Sequence, residues 1–350
     1  MGKVLFIYGK NVSGAMASYR RGETPAHVLY GYPFLKDFGI DADIYDSGDA
    51  TFWNRLKQRA TRLFGVTGGG IIHLRKVIFK LPSYDVIVMV NYDVVMLLMV
   101  LKMLFFRRKR FIFFNNRMER LIGKSKVKKF LFGRCDKIVY YTKYLCEQAE
   151  ALFPGKVTYF YQGSDCDFHK PDRNIIKGDY VLSVGADPGR DFDMLIDTAR
   201  ELEDIKFIIV APKHLLAGKE LSPNVAAREP VPPLELRELY QKARLVVIPL
   251  HSDDYPRGSH TPGLTVLCEC MCTGKAVIIS HRQYVSEYLV DGVSGQIVPP
   301  ENKDELKRAI RDLWDNPQKC ELLEQKIRKL SEKFNTRNWS KQIADIIKSL

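Results

Sequence analysis

The apolar positions of this chain fall into short unbroken runs separated by stretches of helical period. The runs lie at residues 3–8, 84–90, 111–114 and 136–141, and again at 180–184, 206–210, 245–249 and 276–279. Runs so short and so little interrupted by polar residues read as strands covered on both faces, which is the mark of a parallel sheet. Residues 43–45 and 156–161 add two further extended stretches. Between the runs, apolar residues recur at helical spacing over 24–39, 93–106 and 142–152, then over 192–203, 234–243, 302–314, 317–334 and 338–350. Strand and helix alternate throughout, so the fold class is α/β. A length of 350 residues suggests two domains with ample core, divided here as 1–165 and 166–335, with 336–350 as a final helix.

Residues 259–280, SHTPGLTVLCECMCTGKAVIIS, compress loop, helix, turn and strand into one segment. Thr261 can cap the helix, Pro262 suits its first position, and Gly263 permits close backbone approach. Leu264, Val266, Leu267 and Met271 make the helix mostly buried, and Gly274 closes it. A first turn with so little side chain leaves its N–H groups open to an anion. Glu269 sits inside this helix among apolar neighbours, where a carboxylate is costly unless it has a partner. A nucleoside-diphosphate sugar offers a negative end for the tip and hydroxyls for the carboxylate.

Four segments, in order, carry a family resemblance. Cys268 to Lys275 is similar to the region of the second glutamate in the Glu-x7-Glu motif of family 4 glycosyltransferases. Gln162-Gly163-Ser164-Asp165 with Phe168 and Pro171 resembles their interdomain turn. Ser183-Val184-Gly185 with Gly189-Arg190-Asp191 resembles the first strand and loop of their donor domain. Asp291 to Pro300 resembles their Asp-Gly hairpin. The resemblance covers about residues 157–310, and the first half matches only in outline. It implies the GT-B fold: two Rossmann-like domains whose parallel sheets face across a cleft, with the C-terminal helix crossing back to the first. It also implies a retaining, metal-independent transfer from a nucleotide sugar, UDP- or GDP-linked, with no cofactor.

On that resemblance Arg190 and Lys213 would stabilise the leaving diphosphate. Gly185, Gly263, Leu264 and Thr265 would contact the donor, Glu269 would accept ribose hydroxyls, and Gly14 in the loop 9–18 would face the cleft. The position of the first motif glutamate holds Thr261, preceded by His260. Either these two hold the sugar hydroxyls, or Asp253 or Asp254 does. Asp93, Asn115 and Arg117 are the acceptor-side candidates. Other readings stay open: an inverting GT-B transferase, a nucleotide-sugar epimerase, or an inactive binding copy.

Charge separates the halves. Residues 1–170 hold 28 Lys and Arg against 14 Asp and Glu, so the whole excess of the +13 chain lies there. Residues 51–64 form a basic amphipathic stretch bearing Phe52 and Trp53, and Gly68 to Gly70 follow it. Between Lys102 and Lys143 stand 14 basic residues and only Glu119 and Asp136. Basic clusters interleaved with apolar groups suit an anionic leaflet. The expected partners are therefore a nucleotide-sugar donor, a lipid-linked or glycan acceptor and the cytoplasmic face of a membrane. A solvated charged surface is the plainer alternative. RNA-recognition signatures are absent, so no nucleic acid is expected. The seven cysteines show no Cys-x2-Cys pair, which favours reduced thiols and no metal site.

Overall fold

The structure is a computed structural model that describes residues 2–8, 12–45, 78–90, 95–115, 125–172 and 174–350. Residues 51–64, Gly68 to Gly70, Asp93 and Arg117 lie outside that range. The chain divides into two compact units. The first comprises Met1–Arg21, Val28–Tyr161 and Trp339–Leu350, and the second Gly22–His27 with Gln162–Asn338.

The first unit holds strands β1 (Val4–Ile7), β2 (Ala42–Tyr45), β3 (Val86–Met89), β4 (Arg110–Asn115), β5 (Lys137–Tyr140) and β6 (Val157–Tyr159). They form one parallel sheet in the order β2-β1-β3-β4-β5-β6. Every residue of β1 and β3 is buried, as a sheet covered on both faces requires. Helices α1 (Ser13–Arg20), α2 (Val95–Leu104), α3 (Lys126–Phe132) and α4 (Lys143–Glu150) belong to this unit. Thr142 caps α4 by accepting the Leu145 N–H at 3.2 Å. Lys102, the lone basic residue of α2, is buried and pairs with Asp136, which also accepts the Phe111 N–H at 2.7 Å.

Two local expectations change here. The segment 9–18 is helical from Ser13 onward, so Gly14 stands in α1 rather than in a loop. Ala15, Met16 and Ala17 are good helix formers, and they outweigh the single glycine. The helix expected over 24–39 resolves into two 3-10 segments, Ala26–Leu29 and Tyr32–Phe38. Gly31 breaks them with φ 75°, and a Cβ there would lie 2.9 Å from Ile343.

The second unit starts at β7 (Tyr180–Val184) and alternates through α5 (Phe192–Arg200), β8 (Lys206–Val210), α6 (Lys213–Leu216), β9 (Val225–Arg228) and α7 (Pro233–Lys242). It continues with β10 (Leu245–Ile248), α8 (Leu264–Thr273), β11 (Val277–Ser280), β12 (Gln296–Val298), α9 (Lys303–Asp315) and α10 (Pro317–Leu330). The strands are parallel in the order β12-β11-β10-β7-β8-β9. The chain starts mid-sheet, builds outward through β8 and β9, then returns to the other side of β7 with β10. That reversal opens a crevice at the carboxyl ends of β7 and β10. The segment 292–300, read as a hairpin, is a tight turn leading into β12, which pairs with β11 in parallel. The strand β9 was not anticipated: it is four residues long, and its last three are exposed.

The last helix, α11 (Thr336–Lys348), enters the first unit at Trp339, which packs against Tyr30, Tyr141 and Phe160. Within the second unit, Ser164 bridges Asn335, and a Cβ on Gly163 would come within 2.5 Å of the Asn335 backbone. Gly163→Ala should therefore lower stability by about 1–3 kcal/mol, the usual range for overpacking, read as a shifted urea midpoint. An unchanged midpoint would mean that the two backbones part easily.

Candidate functional site

The site is built at the reversal between β7 and β10. After β7 the chain turns through Gly185, whose would-be Cβ lies 2.9 Å from the Arg190 side chain, so only glycine fits beside that guanidinium. Asp187 ties the loop together: its Oδ1 accepts the Gly189 N–H at 2.8 Å, and its two oxygens accept the Ser259 N–H at 3.1 and 3.0 Å. Arg190 and Leu250 form an antiparallel bridge, and the Asp191 N–H donates to the Pro249 carbonyl at 3.0 Å. The loop after β7 is thus stitched to the chain leaving β10. Asp191 also caps α5 by accepting the Met194 N–H at 3.0 Å.

Arg190 is only 4% exposed. Its Nη2 donates to Ser183 Oγ at 3.3 Å, while Nε and Nη1 have no hydrogen-bond partner among the described residues. Burial pulls its pKa down to about 10. Helix α8 begins beside it. Gly263 is the N-cap with φ 82°, and a Cβ there would lie 3.0 Å from Arg190 Nη1 and 2.5 Å from Ile248. No side chain caps this helix. Of the first N–H groups, that of Leu264 reaches the Thr261 carbonyl at 3.3 Å. Tyr284 fixes the entry to the helix by donating its hydroxyl proton to the Pro262 carbonyl. An uncapped helix tip and a buried, half-partnered guanidinium therefore meet at one point, and both favour an anion.

The other predicted residues scatter more widely. Lys213 is exposed at the carboxyl end of β8, the strand next to β7, and its N–H donates to Glu229 at 3.2 Å. His260 and Thr261 are partly exposed in the loop that leads to α8. Thr265 lies in the first turn of the helix, where its Oγ1 accepts from the Gln162 amide at 2.9 Å. Asp253 is not available to a sugar: its carboxylate accepts from Arg282 Nε at 2.8 Å and from the Gln283 N–H at 3.0 Å. Gly14 lies in α1 of the first unit, with nothing within 4 Å of a would-be Cβ. Asn115 ends β4, and Asp93 and Arg117 are outside the described residues.

Glu269 is surrounded by donors from its own chain. Its Oε2 accepts the Tyr240 hydroxyl at 2.7 Å, and its Oε1 lies 3.4 Å from His27 Nε2 and 3.8 Å from His169 Nε2. A carboxylate inside an apolar helix must find donors, and α7, the strap before His27 and the turn before His169 bring them. Burial alone would raise its pKa, but His27, His169 and Tyr240 hold it below the ordinary value. Lys275, just beyond the end of α8, donates to the Ala243 carbonyl at 2.8 Å.

Cysteine pairing also departs from expectation. Cys166 and Cys272, 106 residues apart in sequence, form a disulfide. The other five cysteines form no disulfide. Spacing could not reveal the pair, because folding alone brings the turn at Cys166 to the end of α8. Asp187, Tyr240, Tyr284 and His169 were missed for a similar reason: each acts on a partner distant in sequence.

Comparisons with known proteins bear on the fold. Residues 167–330 match the family model described as glycosyl transferases group 1. A curated relative, an uncharacterized glycosyltransferase of Methanocaldococcus jannaschii, is 24% identical over 245 residues. That match covers 65% of this chain and 64% of the relative's length. Among solved structures, HepE of Anabaena in complex with UDP-glucose superposes with a TM-score of 0.69 at 16% identity, over the full length of both chains. Sucrose-phosphate synthase of Thermosynechococcus elongatus gives 0.69 at 13% identity, covering 99% of this chain and 98% of that one.

Tyr240→Phe tests the inner cluster. Loss of a hydrogen bond to a buried carboxylate should cost about 1.5–3 kcal/mol, measured by urea unfolding. A stability equal to wild type would show that the Tyr240 bond contributes nothing net. Two six-stranded parallel sheets and these likenesses give the chain the GT-B fold, and its second unit is similar, over residues 167–330, to the glycosyl transferases of group 1.

Proposed function

We propose that the chain transfers a sugar from a nucleoside-diphosphate sugar to an acceptor. The observation that carries this reading is Arg190: a buried guanidinium with two unpartnered nitrogens, set against the uncapped tip of α8. An isolated buried cation is costly, and a diphosphate would supply the missing acceptors. UDP- and GDP-linked sugars both fit. The UDP-linked class comes first, because the HepE structure was solved with UDP-glucose.

In this reading the bond between C1 of the sugar and the phosphate oxygen breaks, and its electrons pass to that oxygen. Arg190, the α8 tip and Lys213 stabilise the charge that develops there. The acceptor hydroxyl oxygen bonds to C1, and its proton passes to the departing phosphate on the same face. The configuration at C1 is then retained. Thr261 and His260, beside the tip, are the candidates for holding the sugar hydroxyls.

A lipid-linked acceptor at an anionic membrane is the favoured acceptor class. No helix of the described residues is long and apolar enough to cross a membrane. Helices α2 and α3 pack together and expose Leu104 (65%), Phe105 (71%), Val127 and Phe130. Arg107, Arg108, Lys126 and Lys129 stand exposed around them. Apolar side chains ringed by basic ones suit the boundary between headgroups and acyl chains.

Arg190→Lys keeps the charge but loses the guanidinium fork. UDP should then bind roughly 10- to 150-fold more weakly by calorimetry, the equivalent of about 1.5–3 kcal/mol. Equal affinity would remove Arg190 from the diphosphate site. Full-length protein should sediment with vesicles containing phosphatidylserine and much less with neutral ones. The double substitution Phe105→Ser and Phe130→Ser should release it, whereas binding that ignores both lipid charge and these residues would argue against the membrane face.

A further inference from the structure

We propose that His27, His169 and Glu269 form a binding site for a divalent transition metal of the zinc class, separate from the diphosphate site. All three are buried, and one ligand atom from each lies within 4.8 Å of the others. His27 Nε2 and His169 Nε2 stand 3.4 and 3.8 Å from the same Glu269 oxygen. Zinc bonds imidazole nitrogen and carboxylate oxygen at about 2.0–2.2 Å, so tetrahedral neighbours lie about 3.4 Å apart. The observed separations are already close to that. Two imidazoles and one carboxylate also make a donor set zinc accepts, with a fourth position open to water.

Two features favour a metal over a purely structural cluster. His169 is 1% exposed, and neither of its ring nitrogens has a hydrogen-bond partner among the described residues. A buried imidazole left so unsatisfied carries its full desolvation cost, which a metal bond at Nε2 would offset. The outer contacts are those of a ligand set. Ser164 Oγ lies 2.9 Å from His27 Nδ1, so the tautomer that donates from Nδ1 leaves Nε2 bare toward Glu269. Tyr240 holds the second Glu269 oxygen at 2.7 Å, leaving the first to the metal. The cluster is displaced from the helix tip: six residues separate Gly263 from Glu269, or about 9 Å of helix.

The three ligands come from three segments: the strap Gly22–His27, the turn before His169, and α8. The strap is already tied to that turn, since the Ala26 N–H donates to Asp165 Oδ2 at 2.7 Å. A metal would lock the strap to α8 through His27. Its role in this reading is structural, and it does not depend on the proposed transfer.

The test uses tag-free, full-length protein stripped with a chelator and dialysed against zinc or cobalt(II). One equivalent of metal should be retained, and it should raise the unfolding temperature. Bound cobalt should show the visible bands of a tetrahedral nitrogen–oxygen site without a near-ultraviolet sulfur-to-cobalt band. His169→Ala and Glu269→Gln should abolish retention, and the exposed His214→Ala should not. Ser164→Ala keeps all three ligands and should weaken binding about 10- to 100-fold. A wild-type protein that retains no metal would overturn the proposal, as would a thiolate band or retention unchanged in both ligand variants. Should a ligand variant fail to fold, the wild-type stoichiometry and cobalt spectrum still decide.

Discussion

Keeping the Arg190 guanidinium inside the second unit is the constraint around which this unit is arranged. Burial lowers its pKa, and among the described residues one hydrogen bond, to Ser183, satisfies it. The surroundings are shaped to admit it. Gly185 and Gly263 are both positions where a methyl group would strike it or its neighbours. Asp187 lashes the loop after β7 to Ser259, and the bridge to Leu250 holds Arg190 against the chain leaving β10. These features bring a positive charge and a helix tip to the point where the strand order reverses. Anion binding at such a point follows from backbone geometry before any particular side chain is considered.

Deeper along the same helix, a second charge is handled differently. Glu269 is as buried as Arg190, but it is enclosed by a phenol and two imidazoles rather than left half-partnered. The contrast separates two kinds of site within one short helix. The tip is short of acceptors and the middle is rich in donors or ligands. A negatively charged substrate suits the first, and a cation or a proton-sharing network suits the second. The disulfide between Cys166 and Cys272 ties the far end of this helix to the turn that carries Asp165 and His169, so the inner cluster is anchored from both sides.

The first unit shows how fold and surface serve different ends. Its central strands β1 and β3 are buried throughout, and the buried Lys102 is paired with Asp136. Among the described residues, Arg107, Arg108, Lys126 and Lys129 stand exposed on α3 and the turn after α2, near the exposed side chains of Leu104, Phe105, Val127 and Phe130. A soluble surface normally scatters such groups singly. Their gathering on two packed helices is what gives the unit a face suited to a charged, partly apolar surface.

The order of strands and helices and the glycine-marked helix tip were legible from the chain alone. Each rests on local rules: short apolar runs, a proline and glycine at a helix start, a loop at a strand's end. Helix ends and short segments were less legible. The 3-10 turns around Gly31 and the exposed strand β9 lie where local preference is weak and tertiary contacts decide. What only the folded structure settled was which distant residues meet. Glu269 could be read as a carboxylate in need of partners, but not as one enclosed by His27, His169 and Tyr240. Cys166 and Cys272 could not be paired, and Asp253 could not be seen to be held by Arg282. A sequence records what each residue requires of its surroundings, and the chain's path through space determines who supplies it.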